Sequence, residues 1–253
     1  MNKLRHILRI VGPTVFWLAV WALLSLRVGS ELLLPAPGAV LRRTAELAVT
    51  AAFRRSIAAT LLRILGGALA GLALGTALAV LCCRFRLADA LLAPLLSVIK
   101  STPVVSFIIL VLVWVGRDFV PVIIVVLMVL PVVWANVCAG IRATDPKLLE
   151  MARVYRLSPG RTLTKIRIPS VLPHFLAACR SVLGLAWKAG TAAEVLTVPT
   201  HSLGRMLYES KLYLETTDLF AWTLVIVVCS LIIEKLLVAL LRLPERRRKE
   251  ASA

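Results

Sequence analysis

The chain has 253 residues, of which 60% are hydrophobic and 17% charged, and its mean hydropathy is +0.90. Soluble domains are roughly 45–50% apolar and about 25% charged, so this chain carries more apolar surface than a soluble fold can bury. The composition therefore argues against a soluble enzyme and against a disordered chain. Five cysteines, an odd number, also argue against a secreted disulfide scaffold. The class that remains consistent with this composition is a protein that crosses a membrane several times.

Basic residues are in large excess. Lysine and arginine number 30 against 13 aspartate and glutamate residues, for a formal net charge of +17. In a soluble chain this balance would suggest nucleic-acid binding, but here the basic residues lie between and beside apolar segments rather than along one stripe. We therefore expect no nucleic-acid partner and attribute the charge to membrane topology.

Several apolar segments reach the roughly 20 residues that a helix needs to cross a membrane. The sequence predicts an all-α polytopic fold with six transmembrane helices: Ile7–Leu26, Leu62–Cys83, Ala88–Val115, Phe119–Ile141, Phe175–Thr197 and Leu219–Leu241. The first resembles a signal peptide but lacks a small-residue cleavage site, so we expect it to be retained. In the third, Pro94 and Pro103 flank Lys100, which predicts a kink or break there because proline removes a backbone donor.

The distribution of basic residues predicts the orientation. They are concentrated before the first helix, between the second and third, between the fourth and fifth, and after the sixth. Lysine and arginine are retained on the cytoplasmic side, so both termini are expected in the cytoplasm. The long first loop, on the other side, contains an amphipathic segment at Pro37–Ala52. This segment either lies along the lipid headgroups or packs on the helix bundle as a surface helix.

Cysteine and histidine residues show no metal-ligand spacing. They are Cys82, Cys83, Cys138, Cys179, Cys229, His6, His174 and His201. We interpret the cysteines as small apolar residues of the helices and expect no metal site. Small residues also recur at helical spacing, at Gly66, Gly67, Gly71 and Gly75. They predict close packing of a neighbouring helix.

One long connection, residues 142–169, falls on the predicted cytoplasmic side. Thr144-Asp145-Pro146 combines a capping side chain with a proline at the first helical position, which predicts a helix start. Ser158-Pro159 predicts the end of that helix and the start of a second, which is expected to stop at Pro169. The loop could bind anionic lipid, satisfy the positive-inside rule or dock into a soluble partner. Charge alone favours the positive-inside rule, whereas the helix-corner-helix shape favours docking into a soluble partner.

The same loop carries a family pattern. Glu150-Met151-Ala152 is followed, after an interval, by Ile166-Arg167-Ile168-Pro169. These residues resemble the Glu-Ala-Ala loop of permease subunits in bacterial ATP-binding cassette (ABC) importers, whose pattern is Glu-Ala-Ala, three residues, Gly, nine residues, Ile, any residue, Leu, Pro. Met151 and Ile168 are mild departures. Arg156 occupies the glycine position, and Ser158-Pro159 can supply a turn two residues later.

The resemblance extends over Ile57–Leu240 and includes Ala193-Glu194, Ser202–Arg205 and Asp218–Ala221, which look like the nitrate, sulfonate and taurine branch. It implies the MetI-like fold of type I ABC importer permeases and a small, anionic solute. It also implies three regions. They are 1–61, with the first helix and a periplasmic amphipathic segment; 62–242, the permease core with the coupling loop 142–169; and 243–253, a basic cytoplasmic tail.

Permeases of this kind imply several partners. Two membrane subunits, usually identical, lie in the lipid of the inner membrane and bind two ATPase subunits on the cytoplasmic side. An extracellular binding protein delivers the solute. The sequence contains no Gly-x-x-x-x-Gly-Lys-Ser/Thr loop, so we expect ATP and Mg to bind the ATPase, with no cofactor and no catalysis here. The residues expected to couple to the ATPase are Glu150, Met151, Ala152, Arg153, Arg156, Leu157, Ser158, Pro159 and Gly160.

Polar residues at membrane depth are candidates for the translocation path, because ionisable groups there face a bundle interior or a water-filled cavity. The ionisable candidates are Lys100, Arg180, Lys188, Glu194 and Glu234, and Trp187 and Thr191, one turn apart, could line the same path. A positive lining would suit an anionic solute. Alternatively, Lys188 and Glu194 pair with neighbouring helices, and Arg180 extends to the cytoplasmic surface.

Two other classes of function fit the sequence less well. A membrane-embedded enzyme would need an acid, base, nucleophile or metal cluster at one depth, and none is visible. A secondary transporter or channel working without an ATPase often shows two repeated halves, and we find no convincing repeat. Proton-coupled uptake by this chain alone would decide for that alternative.

Overall fold

The structure is a computed structural model that describes the backbone of residues 2–250 and the side chains of residues 12–236, 238 and 239. Within these residues the secondary structure is entirely helical. The helices are α1 (Asn2–Val28), α2 (Pro37–Ala48), α3 (Ala51–Arg84), α4 (Arg86–Ser101), α5 (Val104–Trp114), α6 (Val120–Arg142), α7 (Pro146–Val154), α8 (Pro159–Thr162), α9 (Ile168–Thr197), α10 (Leu203–Leu212) and α11 (Thr216–Glu250). A π turn at Leu163–Arg167 joins α8 to α9.

Among the described residues, four stretches are long and apolar enough to cross a membrane: Ala51–Arg84, Val120–Arg142, Pro159–Thr197 and Thr216–Leu236. The pair α4 and α5 passes the same test together and counts as a fifth span if it is one broken span. In the first predicted span, Gly12–Val28 is apolar but shorter. The side chains of its first residues, and those of the basic tail at 243–253, lie outside the described part.

The predicted break near Lys100 is confirmed. Helix α4 ends at Ser101, α5 begins at Val104, and the two axes differ by 108°. Thr102 is extended, with φ −78° and ψ 134°, because the residue before a proline is driven out of the helical region. Pro94 stays inside α4.

Helix α6 lies between α3 and α9, and the glycines of α3 explain its close approach. A methyl group added to Gly67 would lie 2.8 Å from the Val122 carbonyl oxygen, and one on Gly75 would lie 2.8 Å from that of Leu130. Gly71 meets Val129 in the same way. The predicted close packing is therefore confirmed for three glycines, whereas Gly66 faces open space.

The amphipathic segment of the first loop forms α2 and packs on the bundle. Val40 is buried, and Arg43 donates hydrogen bonds of 2.6 and 2.9 Å to the two carboxylate oxygens of Asp218 at the start of α11. These hydrogen bonds, together with one to Glu46, raise the pKa of the Arg43 guanidinium above its usual range. The packing thus favours the surface-helix alternative.

Helix α3 begins earlier than the sequence predicts. The Thr50 hydroxyl caps it by accepting a hydrogen bond from the Phe53 amide. Ser56 and Thr60, which are polar, lie buried within the extra turns, and the Thr60 hydroxyl donates a hydrogen bond to Glu194 inside the bundle. The expected boundary between residues 61 and 62 therefore falls inside a continuous helix.

The loop at 144–169, called the corner loop below, begins as predicted. The Asp145 side chain accepts a hydrogen bond from the Lys147 amide at 2.8 Å, and Ser158 caps the second helix. The expected stop at Pro169 is wrong, because the chain continues through the π turn into α9. A π turn shifts the backbone pairing next to the proline, which has no N–H to donate, so Pro169 stays within the first turn of α9.

Candidate functional site

The turn of the corner loop is a Schellman motif with arginine at the position that favours glycine. The Leu157 amide donates to the Ala152 carbonyl at 2.9 Å, and the Arg156 amide donates to the Arg153 carbonyl at 3.0 Å. Arg156 has φ +48°, in the left-handed region. The turn at the glycine position of the family pattern is therefore retained without glycine, and Ser158-Pro159 adds a second turn after it.

The outer surface of α7 carries exposed apolar side chains and one carboxylate, that of Glu150. Val154 and Tyr155 are 79% and 74% exposed, and Met151 is 43% exposed. Glu150 is exposed and has no ion-pair partner among the described residues. Ala152 is the one buried residue of α7 and faces inward.

Most of the predicted coupling residues line one concavity of about 480 Å³. Its lining is Leu149, Ala152, Arg153, Arg156, Leu157, Ser158, Pro159, Thr162 and Arg167. Glu150, Met151 and Gly160 lie outside this lining. The concavity is basic, because it includes three arginines and no carboxylate.

At the opposite end of the bundle, Glu194 is completely buried and fully hydrogen-bonded. Its Oε2 accepts from the Thr60 hydroxyl at 2.8 Å and from the Gly204 amide at 3.3 Å. Its Oε1 lies 3.4 Å from Nη1 of Arg63. A buried carboxylate requires such partners, because desolvation penalises an unpaired charge.

Further hydrogen bonds extend this Glu194 network to the chain between α9 and α10. Arg63 donates to the carbonyl oxygens of Thr200 and His201, and Asp118 accepts from the Thr200 amide at 2.6 Å. The Leu203 amide donates to the Thr60 hydroxyl at 3.0 Å. The network therefore joins α3, the α5–α6 connection, α9 and α10.

The sequence motifs Ala193-Glu194 and Ser202–Arg205 meet in this network. Gly204 packs so closely on Glu194 that there is no room for a methyl group between them. Sequence reasoning missed Thr60 and Arg63. The available signal was Arg63 itself, which is a charged residue just inside the predicted second span.

Of the six predicted translocation residues in α4 and α9, the structure exposes three and buries three, and Glu234 of α11 is exposed. Arg180 and Lys188 lie on one exposed stripe of α9, the α9 stripe, which comprises Ala177, Arg180, Ser181, Gly184 and Lys188. Trp187 and Thr191 face inward, and the Thr191 hydroxyl donates to the Trp187 carbonyl at 2.8 Å. Glu194 belongs to the network above, and Lys100 is exposed in the last turn of α4.

Comparison with known proteins places this architecture in a family. Residues 67–250 match the profile described as binding-protein-dependent transport system inner membrane component. An aliphatic sulfonates transport permease of Bacillus subtilis (strain 168), SsuC, is 27% identical over 91% of this chain and 82% of its own length. The taurine transport system permease TauC of Escherichia coli (strain K12) is 24% identical over 94% of this chain and 89% of its own.

Solved structures show the same fold. A subunit of the bacterial transporter that imports alginate superposes with a TM-score of 0.64 at 17% identity, covering 96% of this chain and 99% of that one. A subunit of an amino acid ABC transporter gives a TM-score of 0.62 at 19% identity, covering 82% and 96%. With the profile match over most of its length, the chain belongs to the binding-protein-dependent transport system inner membrane component family, which comprises the permease subunits of ABC importers rather than enzymes.

Proposed function

We propose that this permease is driven by a separate cytoplasmic ATPase that binds the corner loop, and that it carries a small anionic solute into the cell. The observation that carries the proposal is the outer surface of α7. Val154 and Tyr155 project large apolar side chains beside the unpaired carboxylate of Glu150. Such a surface at the end of a membrane bundle favours docking into a groove of a soluble partner.

The corner loop has the stiffness that a mechanical connection needs. It is capped at Asp145, closed by the Schellman turn at Arg156, and continuous from Pro159 through α9 to Thr197. A displacement of the loop by an ATPase would therefore move α9 as one unit. Since α9 ends in the Glu194 network, the motion would reach the opposite end of the bundle.

The α9 stripe supports an anionic solute. Lys188 is exposed at membrane depth and has no ion-pair partner among the described side chains. A lysine in that position faces a water-filled path or a partner rather than lipid, because hydrocarbon cannot solvate its charge. Small residues between Arg180 and Lys188 leave room for a solute. The names of the sulfonate and taurine relatives agree with this charge.

The remaining partners follow from the same proposal. A second copy of this chain would complete the path, and an extracellular solute-binding protein would deliver the solute at the end of the bundle that holds the Glu194 network. Both termini would lie in the cytoplasm, on the side of the corner loop. Exposed apolar side chains on α5, such as Val113 at 75% and Trp114 at 82%, are available to the second copy or to lipid.

Reconstitution tests this proposal. The chain is placed in proteoliposomes with a candidate ABC ATPase and a candidate solute-binding protein from the same organism, and solute-stimulated ATP hydrolysis and uptake are measured. We expect Glu150→Ala to uncouple both without changing membrane insertion, while Lys147→Ala, an exposed substitution in the same helix, has little effect. Normal coupling by the Glu150 variant, or proton-driven uptake by the chain alone, would contradict the proposal, and the latter would favour a secondary transporter.

A further inference from the structure

A second cavity, the wedge cavity, opens between α3 and α9 on the corner-loop side of the bundle. The two helices touch near the Glu194 network, where a methyl group added to Gly190 would lie 2.7 Å from Cγ1 of Ile64. Toward the corner loop they enclose a space of about 650 Å³. Its lining is Thr76, Val80, Cys83, Arg84, Val137, Ile141, Thr144, Leu149, Leu163, Arg167, Ile168, Val171, Leu172 and Phe175.

The lining of the wedge cavity combines apolar side chains with two arginines. Nine of the 14 lining residues are aliphatic or aromatic, the uncharged remainder is Thr76, Cys83 and Thr144, and the lining contains no carboxylate. The two cations, Arg84 and Arg167, are exposed, and each lies where its segment meets the end of the bundle, Arg84 as the last residue of α3 and Arg167 as the last of the π turn. Neither forms an ion pair with any carboxylate that the structure describes. An apolar interior thus has an uncompensated positive entrance.

We propose that the wedge cavity binds an acyl chain of an anionic phospholipid, with the headgroup phosphate between Arg84 and Arg167. The cavity size lies within the range of about 300–1,000 Å³ typical of ligand sites. Its entrance lies at the ends of membrane-spanning helices, where headgroups are located, and basic pockets between such helices bind anionic headgroups. The apolar depth and the positive entrance therefore match the two parts of one lipid molecule.

The bound lipid would contact the inner side of the corner loop, which faces the helix bundle. Leu149 of α7 and Arg167 line both the wedge cavity and the corner concavity, so they form a common wall. A lipid in the cavity would hold α7 against the ends of α3 and α6. This assignment does not depend on whether an ATPase binds the outer face of α7.

Native mass spectrometry of the full-length chain with titrated phosphatidylglycerol tests the headgroup site. Losing a charge-assisted hydrogen bond to the headgroup phosphate costs about tenfold in affinity, so Arg84→Gln/Arg167→Gln is expected to bind phosphatidylglycerol about 100-fold more weakly. The matched control is Arg86→Gln/Arg161→Gln, which removes the same charge from two exposed arginines outside the lining. We expect the control to change the affinity less than about twofold. An equal loss in both double variants would overturn the proposal by showing general surface attraction.

The reactivity of Cys83 tests occupancy of the apolar interior. Cys83 lines the cavity and is half-buried, so a variant with the other four cysteines replaced by alanine reports on this space. Its alkylation by a maleimide is expected to slow severalfold in vesicles containing phosphatidylglycerol, compared with phosphatidylcholine alone. The slowing is expected to disappear in Arg84→Gln/Arg167→Gln. Equal rates in the two vesicle types would overturn the assignment to an anionic lipid.

Discussion

Thr60 and Glu194 are 134 positions apart in the chain and are joined by a hydrogen bond of 2.8 Å, in which the threonine hydroxyl donates to the carboxylate. The pair connects α3 to the end of α9, and Arg63, one turn after Thr60, adds the compensating charge. A carboxylate at this depth is stable only with such partners. The Glu194 network is therefore a structural joint of the bundle, and the exposed α9 stripe is a separate surface.

The first prediction concerns this joint. Glu194→Ala removes the carboxylate that the Thr60 hydroxyl and the Gly204 amide donate to, whereas Arg63 keeps Asp118 at 3.6 Å as a second carboxylate partner. We expect the free energy of unfolding to fall by about 1–3 kcal/mol, the cost of leaving buried donors unsatisfied. Thermal unfolding of the purified chain in detergent measures the change. Glu209→Ala removes a partly exposed ion pair with Arg205 and should cost about 0.2–1 kcal/mol. Similar losses in the two variants would contradict a special role for the buried carboxylate.

The second prediction uses two adjacent glycines of α3. An alanine at position 67 would lie 2.8 Å from the Val122 carbonyl oxygen and 2.9 Å from Val125 Cβ, whereas position 66 faces open space. We expect Gly67→Ala to destabilise the protein by about 1–3 kcal/mol through overpacking. Gly66→Ala should be neutral or stabilising, because alanine has the higher helix propensity. The melting temperatures of the two variants test this difference. Equal values would show that α3 and α6 can move apart without loss of stability.

The third prediction concerns the turn of the corner loop. Arg156 holds φ +48°, a conformation that costs an L residue about 1–2 kcal/mol. Arg156→Gly should therefore raise the free energy of unfolding by about 0.5–1 kcal/mol, after allowing for the flexibility of glycine in the unfolded chain. Arg153→Gly, in the preceding helix, should lower it by about 0.5–1 kcal/mol. Destabilisation by both variants would show that the Arg156 side chain contributes more than its backbone costs.

The fourth prediction concerns the solute. If Lys188 faces the path, Lys188→Gln should raise the KM for small sulfonates by about tenfold, the effect of losing one charge-assisted hydrogen bond of roughly 1.5 kcal/mol. Lys188→Arg should retain most of the uptake because the charge remains. Lys211→Gln, an exposed lysine of α10, serves as the control. Unchanged uptake kinetics in Lys188→Gln would remove this residue from the path.

Local signals predicted the elements well, because each acts within a few residues. The Asp145 and Ser158 caps begin helices, and the bond before Pro103 breaks one, as expected from neighbouring atoms alone. The same kind of signal was insufficient at Pro169, where a π turn keeps the helix continuous. Whether a proline ends a helix therefore depends on the backbone hydrogen bonding of the turn that precedes it, which the proline alone does not reveal.

By itself, the sequence determined that this protein is a helical membrane permease, since apolar length, charge placement and the corner-loop pattern are all readable along one segment of chain. Only the tertiary structure decided which polar residues are buried and which are exposed. Lys188 and Glu194 are both charged residues of α9, but one is exposed and the other meets Thr60, Arg63 and Gly204. The physical reason is that burial and pairing depend on the helix that packs alongside, and in this chain the residues of those helices are distant in sequence.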